Sequence, residues 1–321
     1  MKILFIDTCH PFLLKTLNDD GHFCIEGYNF SYEEILNLVP EINGIVIRSR
    51  IQLDKKILEC AGNLLFIARA GAGMESIDVD FAKSRNIVCL NSPEGNRDAV
   101  GEHATGMLLS LMNNLNRADR QVRNGVWIRE ENRGHELQGK TVGLIGFGNM
   151  GSSFAAKLRG FDCEILAYDK YKKRFGNDLI KESSLQEIFE SADVLSIHVP
   201  LTGDTEYFID NDFINKFSKK FYFINTSRGM CVRTDDLVKN MKSGKIIGAC
   251  LDVIEYEDLS FEKFSGSNSF INNPSWQYLI SSDNVILSPH IAGWTYESHE
   301  KIARVLVGKI RELVGSVSTK Y

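Results

Sequence analysis

The stretch from Lys140 to Asp169 constrains the fold of this chain more than any other part of the sequence. An apolar run over residues 141–145 is typical of a buried parallel strand, and three glycines follow it with the spacing Gly-x-Gly-x-x-Gly. A helical pattern comes next, and a second apolar run over residues 163–168 ends at the acid. This order predicts the nucleotide-binding half of a doubly wound α/β domain.

The three glycines, Gly146, Gly148 and Gly151, suit a turn that binds the pyrophosphate of a dinucleotide. The first permits a tight turn, the second lets the backbone approach the pyrophosphate, and the third lets helix and strand pack closely. Asp169 follows at the distance where a carboxylate accepts hydrogen bonds from the adenosine ribose. Its charge would repel the 2′-phosphate of NADP, so we expect NAD as the cofactor.

Two alternatives remain open from these residues alone. A glycine-rich turn of this kind also occurs without a ligand, or in nucleotide sites of the methyltransferase type. The preference for NAD over NADP is weakened by a basic cluster directly after Asp169, although such clusters are more often solvated surface. Its members are Lys170, Lys172, Lys173 and Arg174.

Composition and charge exclude several classes of protein. A length of 321 residues suggests about two domains, and a net charge of −5 gives no reason to expect a nucleic-acid partner. No apolar run approaches the roughly 20 residues of a membrane-spanning helix, so we expect no membrane partner. The seven cysteines are scattered without metal-ligand spacing, which favours reduced thiols, a cytoplasmic protein and no bound metal.

The first ninety residues alternate short apolar runs with helical patterns, which predicts a second parallel sheet. Ligands of such sheets gather at the carboxyl ends of the strands. Arg48 and Arg69 follow two of these runs and could each pair with a carboxylate or phosphate, with Arg50 as a weaker candidate. The amides of Gly71-Ala72-Gly73 could form an anion-binding nest. The alternative is that these arginines lie on the surface without a ligand.

The rest of the chain continues the alternation, so the predicted fold class is α/β with two parallel sheets. A long helix is predicted over Asp98–Arg117, and a last helix over Glu297–Val314. The segment Glu257–Asp283 is polar and carries several aromatic residues, and is predicted to be a long loop. Loops of that length usually have a function or cover something.

Three residues near predicted strand ends have chemistry suited to hydride transfer at a carbonyl group. His290 could exchange a proton with the substrate oxygen, because histidine titrates near neutral pH. Glu257 could orient the imidazole, and Arg228 could hold a substrate carboxylate with two hydrogen bonds. Spacing alone does not show that the three converge, and a histidine that merely ends a strand is the alternative. His103 and His135 are interpreted as packing or surface residues.

The motifs together resemble the D-isomer-specific 2-hydroxyacid dehydrogenases, and within that family the short D-3-phosphoglycerate dehydrogenases. The likeness extends over nearly the whole chain. It depends on IRSR at 47–50, ARAGAGMESID at 68–78, NSPEGNRDAVGEHA at 91–104, GLIGFGNMG at 143–151, HVPLT at 198–202, INTSRG at 224–229, ACLDVIEYE at 249–257 and SPHIAG at 288–293.

The resemblance implies two Rossmann-like domains, with the active site in the cleft of the family fold. Residues 98–293 would form the NAD-binding domain, and residues 1–97 with 294–321 would form a discontinuous substrate-binding domain. It also implies a homodimer in which Trp127 reaches toward the partner subunit. The segment after Glu257 is longer than is usual in the family.

By the same resemblance, Arg228 orients the substrate, His290 is the acid/base and Glu257 is its partner. Gly71-Ala72-Gly73 would bind the substrate carboxylate, whereas Arg48 and Arg69 are substrate candidates only from their place after strands. Asn149 stands where many members have arginine, which would loosen the grip on the pyrophosphate. The implied cofactor contacts are Gly146, Gly148, Asn149, Met150, Gly151, Asp169, Val199, Thr226, Ser227, Arg228, Asp252, His290 and Gly293.

The activity implied is the NAD-dependent interconversion of a D-2-hydroxy acid and its 2-oxo acid. The leading substrate is 3-phosphoglycerate, which would be oxidised to 3-phosphohydroxypyruvate in L-serine biosynthesis. The alternatives in the same class are a glyoxylate/hydroxypyruvate reductase and a 4-phosphoerythronate dehydrogenase. A remote alternative is an NAD-sensing binding protein that resembles a transcriptional corepressor.

Overall fold

A computed structural model describes residues 1–257 and 271–318 of the chain. These residues form two compact units. Among the described residues, unit 1 contains 1–96 and 294–318. Unit 2 contains 97–257 and 271–293.

Unit 1 alternates short strands and helices. Its strands are β1 (Lys2–Phe5), β2 (Phe23–Glu26), β3 (Gly44–Ile47), β4 (Phe66–Arg69) and β5 (Val88–Leu90). The helices between them are α1 (Pro11–Asp19), α2 (Tyr32–Leu38), α3 (Lys55–Cys60) and α4 (Val79–Ser84). The strands pair in parallel in the order β2-β1-β3-β4-β5.

Local sequence explains where the helices of unit 1 begin. The Ser31 hydroxyl accepts from the Glu34 N–H at 3.3 Å, and the Glu34 carboxylate accepts from the Ser31 N–H at 2.7 Å. This reciprocal capping box starts α2, and the carboxylates of Asp54 and Asp78 cap α3 and α4 in a similar way. Strand β3 is buried at all four positions, as a central parallel strand covered on both faces should be.

The remaining elements follow in chain order. The strands are β6 (Thr141–Ile145), β7 (Glu164–Tyr168), β8 (Lys181–Glu182), β9 (Val194–Ile197), β10 (Phe221–Asn225), β11 (Ile246–Leu251) and β12 (Val285–Leu287). The helices are α5 (Pro93–Met112), α6 (Leu115–Arg123), α7 (Asn149–Lys157), α8 (Leu185–Ser191), α9 (Asn211–Asn215), α10 (Thr234–Lys242), α11 (Pro274–Ser281) and α12 (Tyr296–Ser318). The strands of unit 2 pair in parallel in the order β12-β11-β10-β9-β6-β7-β8.

The predicted α/β fold with two parallel sheets is confirmed by this architecture. Strands β6, β9 and β10 are buried at every position, as their continuous apolar runs predicted. Because the strands of unit 2 run in one direction, their carboxyl ends lie along one edge of the sheet, called here the carboxyl edge. Ligands of sheets of this kind bind at that edge.

The last helix completes the core of unit 1. Ile302, Leu306 and Ile310 of α12 are buried in one cluster with Ile3 and Phe5 of β1. The spacing of these three residues is that of one face of a helix. Part of the core that covers the first sheet is therefore supplied by the carboxyl-terminal end of the chain.

The helix predicted over Asp98–Arg117 is wrong in its bounds. Helix α5 begins at Pro93, where proline costs no hydrogen bond, and it ends at Met112. A separate helix, α6, follows Asn114, which has a positive φ of 53°. Asparagine tolerates this left-handed conformation, which a continuous helix does not contain.

The long loop predicted over Glu257–Asp283 is wrong in its second half. Helix α11 lies there, with Pro274 at its first position and Asn273 as the N-cap. The Asn273 carboxamide oxygen accepts from the Ser275 N–H at 2.7 Å, a normal start signal for a helix. Residues 258–270 of the predicted loop lie outside the described residues.

Long apolar helices are absent from the part of the chain that the structure describes. No helix within residues 1–257 and 271–318 is both long and apolar enough to cross a membrane. Within the same ranges, no three histidine, cysteine, aspartate or glutamate side chains are grouped so that they could hold a metal ion.

Candidate active site

Unit 2 brings the predicted cofactor residues to the carboxyl edge of its sheet. Each of them follows the end of a strand in the parallel order. The glycine turn (residues 146–151) follows β6, Asp169 follows β7, Val199 follows β9, Thr226, Ser227 and Arg228 follow β10, Asp252 follows β11, and His290 and Gly293 follow β12. The residues that the sequence singled out in this unit are therefore neighbours along one edge.

Two positions in the glycine turn cannot carry a side chain. Gly146 has φ +93°, and a Cβ there would lie 2.5 Å from the carbonyl oxygen of His198. A Cβ on Gly151 would overlap the carbonyl oxygen of Gly146. Among the described residues, a Cβ on Gly148 would meet no atom within 4 Å. Gly146 and Gly151 are needed by the fold itself, whereas Gly148 leaves space beside the backbone for a ligand.

The glycine turn runs directly into the amino-terminal end of α7. Asn149 and Met150 are the first two residues of this helix, and its N-cap, Gly148, supplies no side-chain hydrogen bond. The first N–H groups of a helix have no partner within the helix, and its dipole favours a negative charge at that end. The turn therefore fits the pyrophosphate of a dinucleotide.

The Asp169 carboxylate lies against the glycine turn. It accepts from the N–H groups of Phe147 and Lys172 at 2.8 Å each and of Tyr171 at 2.9 Å. Burial opposes ionisation here, but these hydrogen bonds and the Lys172 charge outweigh it and lower the pKa of Asp169. The carboxylate is ionised at neutral pH, and it retains acceptor capacity for the hydroxyls of a ribose.

The basic cluster after Asp169 is bonded to the protein itself at three of its four members. The Lys170 ammonium pairs with Asp204 at 2.7 Å, and the Lys172 ammonium donates to the Phe147 carbonyl at 3.1 Å. The Lys173 ammonium donates to the Asp169 carbonyl at 3.2 Å. The Lys170 charge is thus paired with a carboxylate, and the Lys172 and Lys173 ammonium groups bond to backbone carbonyls, so these three side chains have partners without a 2′-phosphate.

His290 and Glu257 are in direct contact. The His290 Nδ1 and Glu257 Oε2 atoms are 2.8 Å apart, and both side chains are mostly buried. A carboxylate only accepts, so the imidazole donates through Nδ1 and leaves Nε2 for another partner. The structure therefore brings together the histidine and the carboxylate that the sequence paired, while their catalytic roles stay predictions.

Asp252 holds the loop that carries His290. Its buried carboxylate accepts from the Ser288 hydroxyl at 2.5 Å and from the N–H groups of Ile291 and Ala292 at 2.9 and 2.8 Å. The Asp252 carbonyl also accepts from the His290 N–H at 2.8 Å. Together these bonds tie residues 288–292 to the end of β11.

Asn225 shapes the turn that carries Arg228. Its buried carboxamide oxygen accepts from the N–H and the hydroxyl of Ser227 at 3.0 and 2.8 Å, and its amide nitrogen donates to the Arg228 carbonyl at 3.0 Å. Strand β10 pairs with β11, and β11 pairs with β12. Arg228, Asp252 and His290 therefore come from the ends of three adjacent strands.

In unit 1, Arg69 and the Gly71 loop (residues 71–73) form one cluster at the end of β4. The Arg69 guanidinium occupies the space that a Cβ on Gly71 would need, and Gly71 has φ +151°. The loop is braced from the end of β5, where Ser92 accepts from the Gly71 N–H at 3.1 Å and Asn91 donates to the Ala72 carbonyl at 2.7 Å.

The arginines after β3 have different environments. The Arg48 guanidinium lies 4.4 Å from the centre of the Trp294 ring, a cation–π contact within unit 1. The Arg50 side chain instead donates to the backbone carbonyls of Ile6 and Phe30, at 2.9 and 2.8 Å. Arg50 is thus a brace between loops, whereas Arg48 and Arg69 lie at the ends of two adjacent strands.

Sequence reasoning missed three supporting residues: Asn225, Ser288 and His103. His103 was interpreted as a packing or surface residue, and its Nε2 atom lies 2.9 Å from the Ser288 hydroxyl, a contact that the sequence did not indicate. Asn225 and Ser288 lie inside the motifs INTSRG and SPHIAG, which also contain the predicted site residues Arg228 and His290. Their place at strand ends was the available signal.

The comparisons with known proteins agree on one family. Residues 105–292 match the family model described as the NAD binding domain of D-isomer specific 2-hydroxyacid dehydrogenase. The chain is 35% identical over 284 residues to a hydroxypyruvate reductase from Thermotoga maritima, a match that covers 88% of each chain. It is 34% identical over 312 residues to a D-3-phosphoglycerate dehydrogenase from Archaeoglobus fulgidus, covering 97% of this chain and 56% of that protein.

Solved structures give the same result. A D-lactate dehydrogenase from Aquifex aeolicus, complexed with NAD and lactic acid, superposes with a TM-score of 0.82 at 28% identity. That match covers 98% of this chain and 96% of the other. The matched family model, these relatives and the nucleotide-binding turn support one conclusion. The chain belongs to the D-isomer specific 2-hydroxyacid dehydrogenase family and is an NAD-dependent dehydrogenase.

Proposed function

We propose that the protein oxidises 3-phosphoglycerate to 3-phosphohydroxypyruvate with NAD, as a step of L-serine biosynthesis. The observation that supports a phosphorylated acid is the position of Arg48 and Arg69. Arg48 directly follows β3, and Arg69 is the last residue of the adjacent strand β4. A cation–π contact uses no hydrogen-bond donor, so Arg48 keeps its N–H groups for a phosphate.

In the proposed reaction, residues of unit 2 hold the cofactor and manage the substrate proton. The glycine turn and Asp169 hold the dinucleotide, and bound NAD supplies a hydride acceptor. The Nε2 atom of His290 takes the proton from the C2 hydroxyl group, while Nδ1 keeps its proton in the bond to Glu257. The adjacent carboxylate stabilises the imidazolium that results.

Arg228 has the remaining role in this proposal. Its guanidinium would bind the substrate carboxylate with two hydrogen bonds and polarise the C2 oxygen. The brace from Asn225 supports this role, because a turn held by a buried carboxamide presents the arginine in one backbone conformation. The Gly71 loop would bind the carboxylate through its N–H groups.

Replacement of His290 tests the mechanism. His290→Ala should lower turnover by about 10²–10⁴-fold, the usual size of general acid–base help, and should lower NADH affinity far less, because the glycine turn and Asp169 are unchanged. Steady-state rates and NADH fluorescence measure the two effects. His135→Ala is the matched control, because His135 is exposed and should leave both unchanged. Near-normal turnover in His290→Ala would remove this residue from the mechanism.

A substrate panel tests the proposed substrate. Initial rates with 3-phosphoglycerate, 4-phosphoerythronate, glycerate and glycolate would be measured with NAD and then with NADP. We expect kcat/KM for 3-phosphoglycerate to exceed that for glycerate by about 10²-fold, since a charged hydrogen bond contributes about 1.5–3 kcal/mol. Arg48→Gln should narrow this ratio to about tenfold or less. Equal rates with glycerate would defeat the phosphoglycerate proposal.

A second candidate is a hydroxypyruvate or glyoxylate reductase. It is favoured by the hydroxypyruvate reductase from Thermotoga maritima, which matches 88% of both chains at 35% identity. The same mechanism would then run toward the 2-hydroxy acid, with His290 giving its proton to the carbonyl oxygen. Faster reduction of hydroxypyruvate than of phosphohydroxypyruvate would select this candidate.

A homodimer is the proposed assembly. Helix α6 and the residues after it expose apolar side chains, including Leu115 at 54%, Val122 at 51% and Trp127 at 79%. Val122 and Trp127 line a surface hollow of about 240 Å³, and exposed apolar patches of this kind mark protein contacts. Light scattering should give twice the chain mass, and Trp127→Ala should weaken the dimer because buried tryptophans anchor interfaces.

A further inference from the structure

Helix α5 contacts the loop that carries His290 at Ser288. The His103 Nε2 atom lies 2.9 Å from the Ser288 Oγ atom, and the Met107 sulfur, one helical turn further on, lies 3.8 Å from the same oxygen. The Ser288 Oγ atom is also 2.5 Å from the Asp252 carboxylate. One hydroxyl group therefore lies between a histidine and a buried aspartate of unit 2, and the His103 Nε2 and Asp252 Oδ1 atoms are themselves 3.5 Å apart.

The hydrogen-bond directions in this cluster follow from the number of available protons. A serine hydroxyl carries one hydrogen, and a carboxylate at 2.5 Å is a much better acceptor than a thioether at 3.8 Å. Ser288 therefore donates to Asp252. Its oxygen is left as an acceptor, so His103 must donate to it from Nε2. The chain runs from the His103 N–H through the Ser288 O–H to the Asp252 carboxylate.

We infer that His103 is a positioning residue for the hydride-transfer reaction, acting through Ser288 and Asp252 on the loop that carries His290. The donated hydrogen bond makes Ser288 a stronger donor to Asp252, because successive hydrogen bonds polarise one another. Asp252 in turn holds the N–H groups of Ile291 and Ala292. His103 itself does not bond to the imidazole of the proposed acid/base.

The backbone of His290 explains why the loop needs this support. His290 has φ +54°, a left-handed conformation that is unfavourable for a residue with a side chain. Such a conformation persists only where the surrounding bonds over-determine it. Without the His103 N–H, the Ser288 hydroxyl donates a weaker hydrogen bond to Asp252, and the loop that carries His290 is held less firmly. A displacement of about 1 Å near a reacting atom can cost about 10²-fold in rate.

Two substitutions at position 103 separate positioning from simple packing. His103→Phe keeps a ring without a donor, and His103→Gln keeps a side-chain N–H that can reach Ser288. The assay measures NADH-dependent reduction of a 2-oxo acid by the full chain. The 2-oxo acid is the one that the wild type reduces fastest among phosphohydroxypyruvate, hydroxypyruvate and glyoxylate. The assay therefore does not depend on which substrate is physiological. His135→Phe is the matched control, because His135 is exposed.

We expect His103→Phe to lower kcat by about 10–100-fold with KM and NADH affinity changed by less than about threefold. His103→Gln should restore kcat to within about fivefold of the wild type. Wild-type kcat in His103→Phe would overturn the inference. Equal loss in both variants, or a loss that appears only as lower thermal stability, would also overturn it, since either result assigns His103 to packing.

Ser288→Ala tests the connection independently. It removes the hydroxyl that joins the two ends of the chain, so it should lower kcat to a similar extent. The double variant His103→Phe/Ser288→Ala should lose no more activity than the worse single variant, because both changes break the same connection. Losses that multiply would show that the two residues act separately, and would overturn the inference.

The protonation state of His103 can be observed without any substrate. Nitrogen NMR of protein labelled at histidine should show the Nε2 atom of His103 protonated at neutral pH, with assignment from the His103→Gln spectrum. Ser288→Ala should shift this resonance. An unprotonated Nε2 would reverse the direction of the hydrogen bond, and the proposed chain would not exist.

Discussion

The glycine turn of unit 2 and the Gly71 loop of unit 1 both follow a parallel strand, but different atoms constrain them. Side chains at Gly146 and Gly151 would collide with backbone carbonyl oxygens, which cannot move without moving the sheet or the helix. A side chain at Gly71 would collide with the end of the flexible Arg69 side chain. The first turn is therefore set by the fold, whereas the second is set by a residue that a single substitution can change.

This difference predicts that substitutions at Gly146 or Gly151 in the glycine turn cost more stability and cofactor affinity than substitutions in the Gly71 loop. In Gly151→Ala, the Cβ would overlap the Gly146 carbonyl oxygen, so α7 must move away from the turn. We expect the free energy of unfolding to fall by about 3 kcal/mol and NADH affinity to fall by more than about 100-fold. Thermal unfolding and NADH fluorescence would measure the two effects.

Gly160→Ala is the control for this substitution, since among the described residues its Cβ would meet no atom within 4 Å. Wild-type stability in Gly151→Ala would show that the backbone of the turn can adjust, and the proposed contrast between the two glycine turns would then disappear.

Gly148→Ala sharpens the comparison within the glycine turn itself. Its Cβ would meet no described atom within 4 Å, so the free energy of unfolding should change by less than about 1 kcal/mol. NADH affinity should nevertheless fall by about 10–100-fold, because the Cβ would occupy the space beside the pyrophosphate. Unchanged NADH affinity, measured by titration calorimetry, would place the pyrophosphate elsewhere.

Gly71→Ala should affect the substrate and spare the cofactor. The new Cβ displaces the Arg69 guanidinium, so KM for the 2-oxo acid should rise about tenfold while NADH affinity stays within about twofold. The positive φ of Gly71 adds a stability cost of about 1 kcal/mol. Gly62→Ala, whose Cβ would meet no described atom within 4 Å, is the control. An equal loss of NADH affinity would contradict the separation of roles.

The last prediction concerns the pH dependence of stability and His198, whose carbonyl oxygen excludes a side chain at Gly146. Burial lowers the pKa of His198 from 6.5 to about 4, so the folded protein keeps this imidazole neutral. As the pH falls through this window, the unfolded chain binds a proton that the folded protein excludes. The free energy of unfolding should therefore fall by up to about 3 kcal/mol between pH 6.5 and pH 4.

His198→Asn should remove this part of the pH dependence, so its stability should change less over the same range. Urea unfolding at several pH values measures the difference. His135→Asn is the control, because His135 is exposed. Parallel pH profiles for the wild type and His198→Asn would mean that the glycine turn is not acid-sensitive through this residue.

The parts of the fold that were predicted well are those with a local signal. The bounds of β6 agree with the apolar run predicted over residues 141–145, because a parallel strand that is buried at every position has few polar residues. The break at Asn114 depends on one backbone angle inside a pattern that otherwise favours a helix.

The site was predictable as far as strand ends could be recognised. In a parallel sheet the carboxyl ends share one edge, so Arg228 and His290 could be named without coordinates, whereas Asp252 was implied by the family resemblance. Their contacts could not, because the partners are distant in sequence. His103 and Ser288 are 185 positions apart, and no local pattern joins them. The catalytic roles of Arg228, Glu257 and His290 stay predictions.

The place of α12 in unit 1 has a consequence for biosynthesis. When the first 96 residues have left the ribosome, Ile3 and Phe5 still lack the cover that Ile302, Leu306 and Ile310 will provide. At about 5–20 residues per second, the missing helix is made on the order of ten to forty seconds later. During that interval the nascent sheet exposes an apolar face, so early binding by a chaperone should matter more for this unit than for the one synthesised after it.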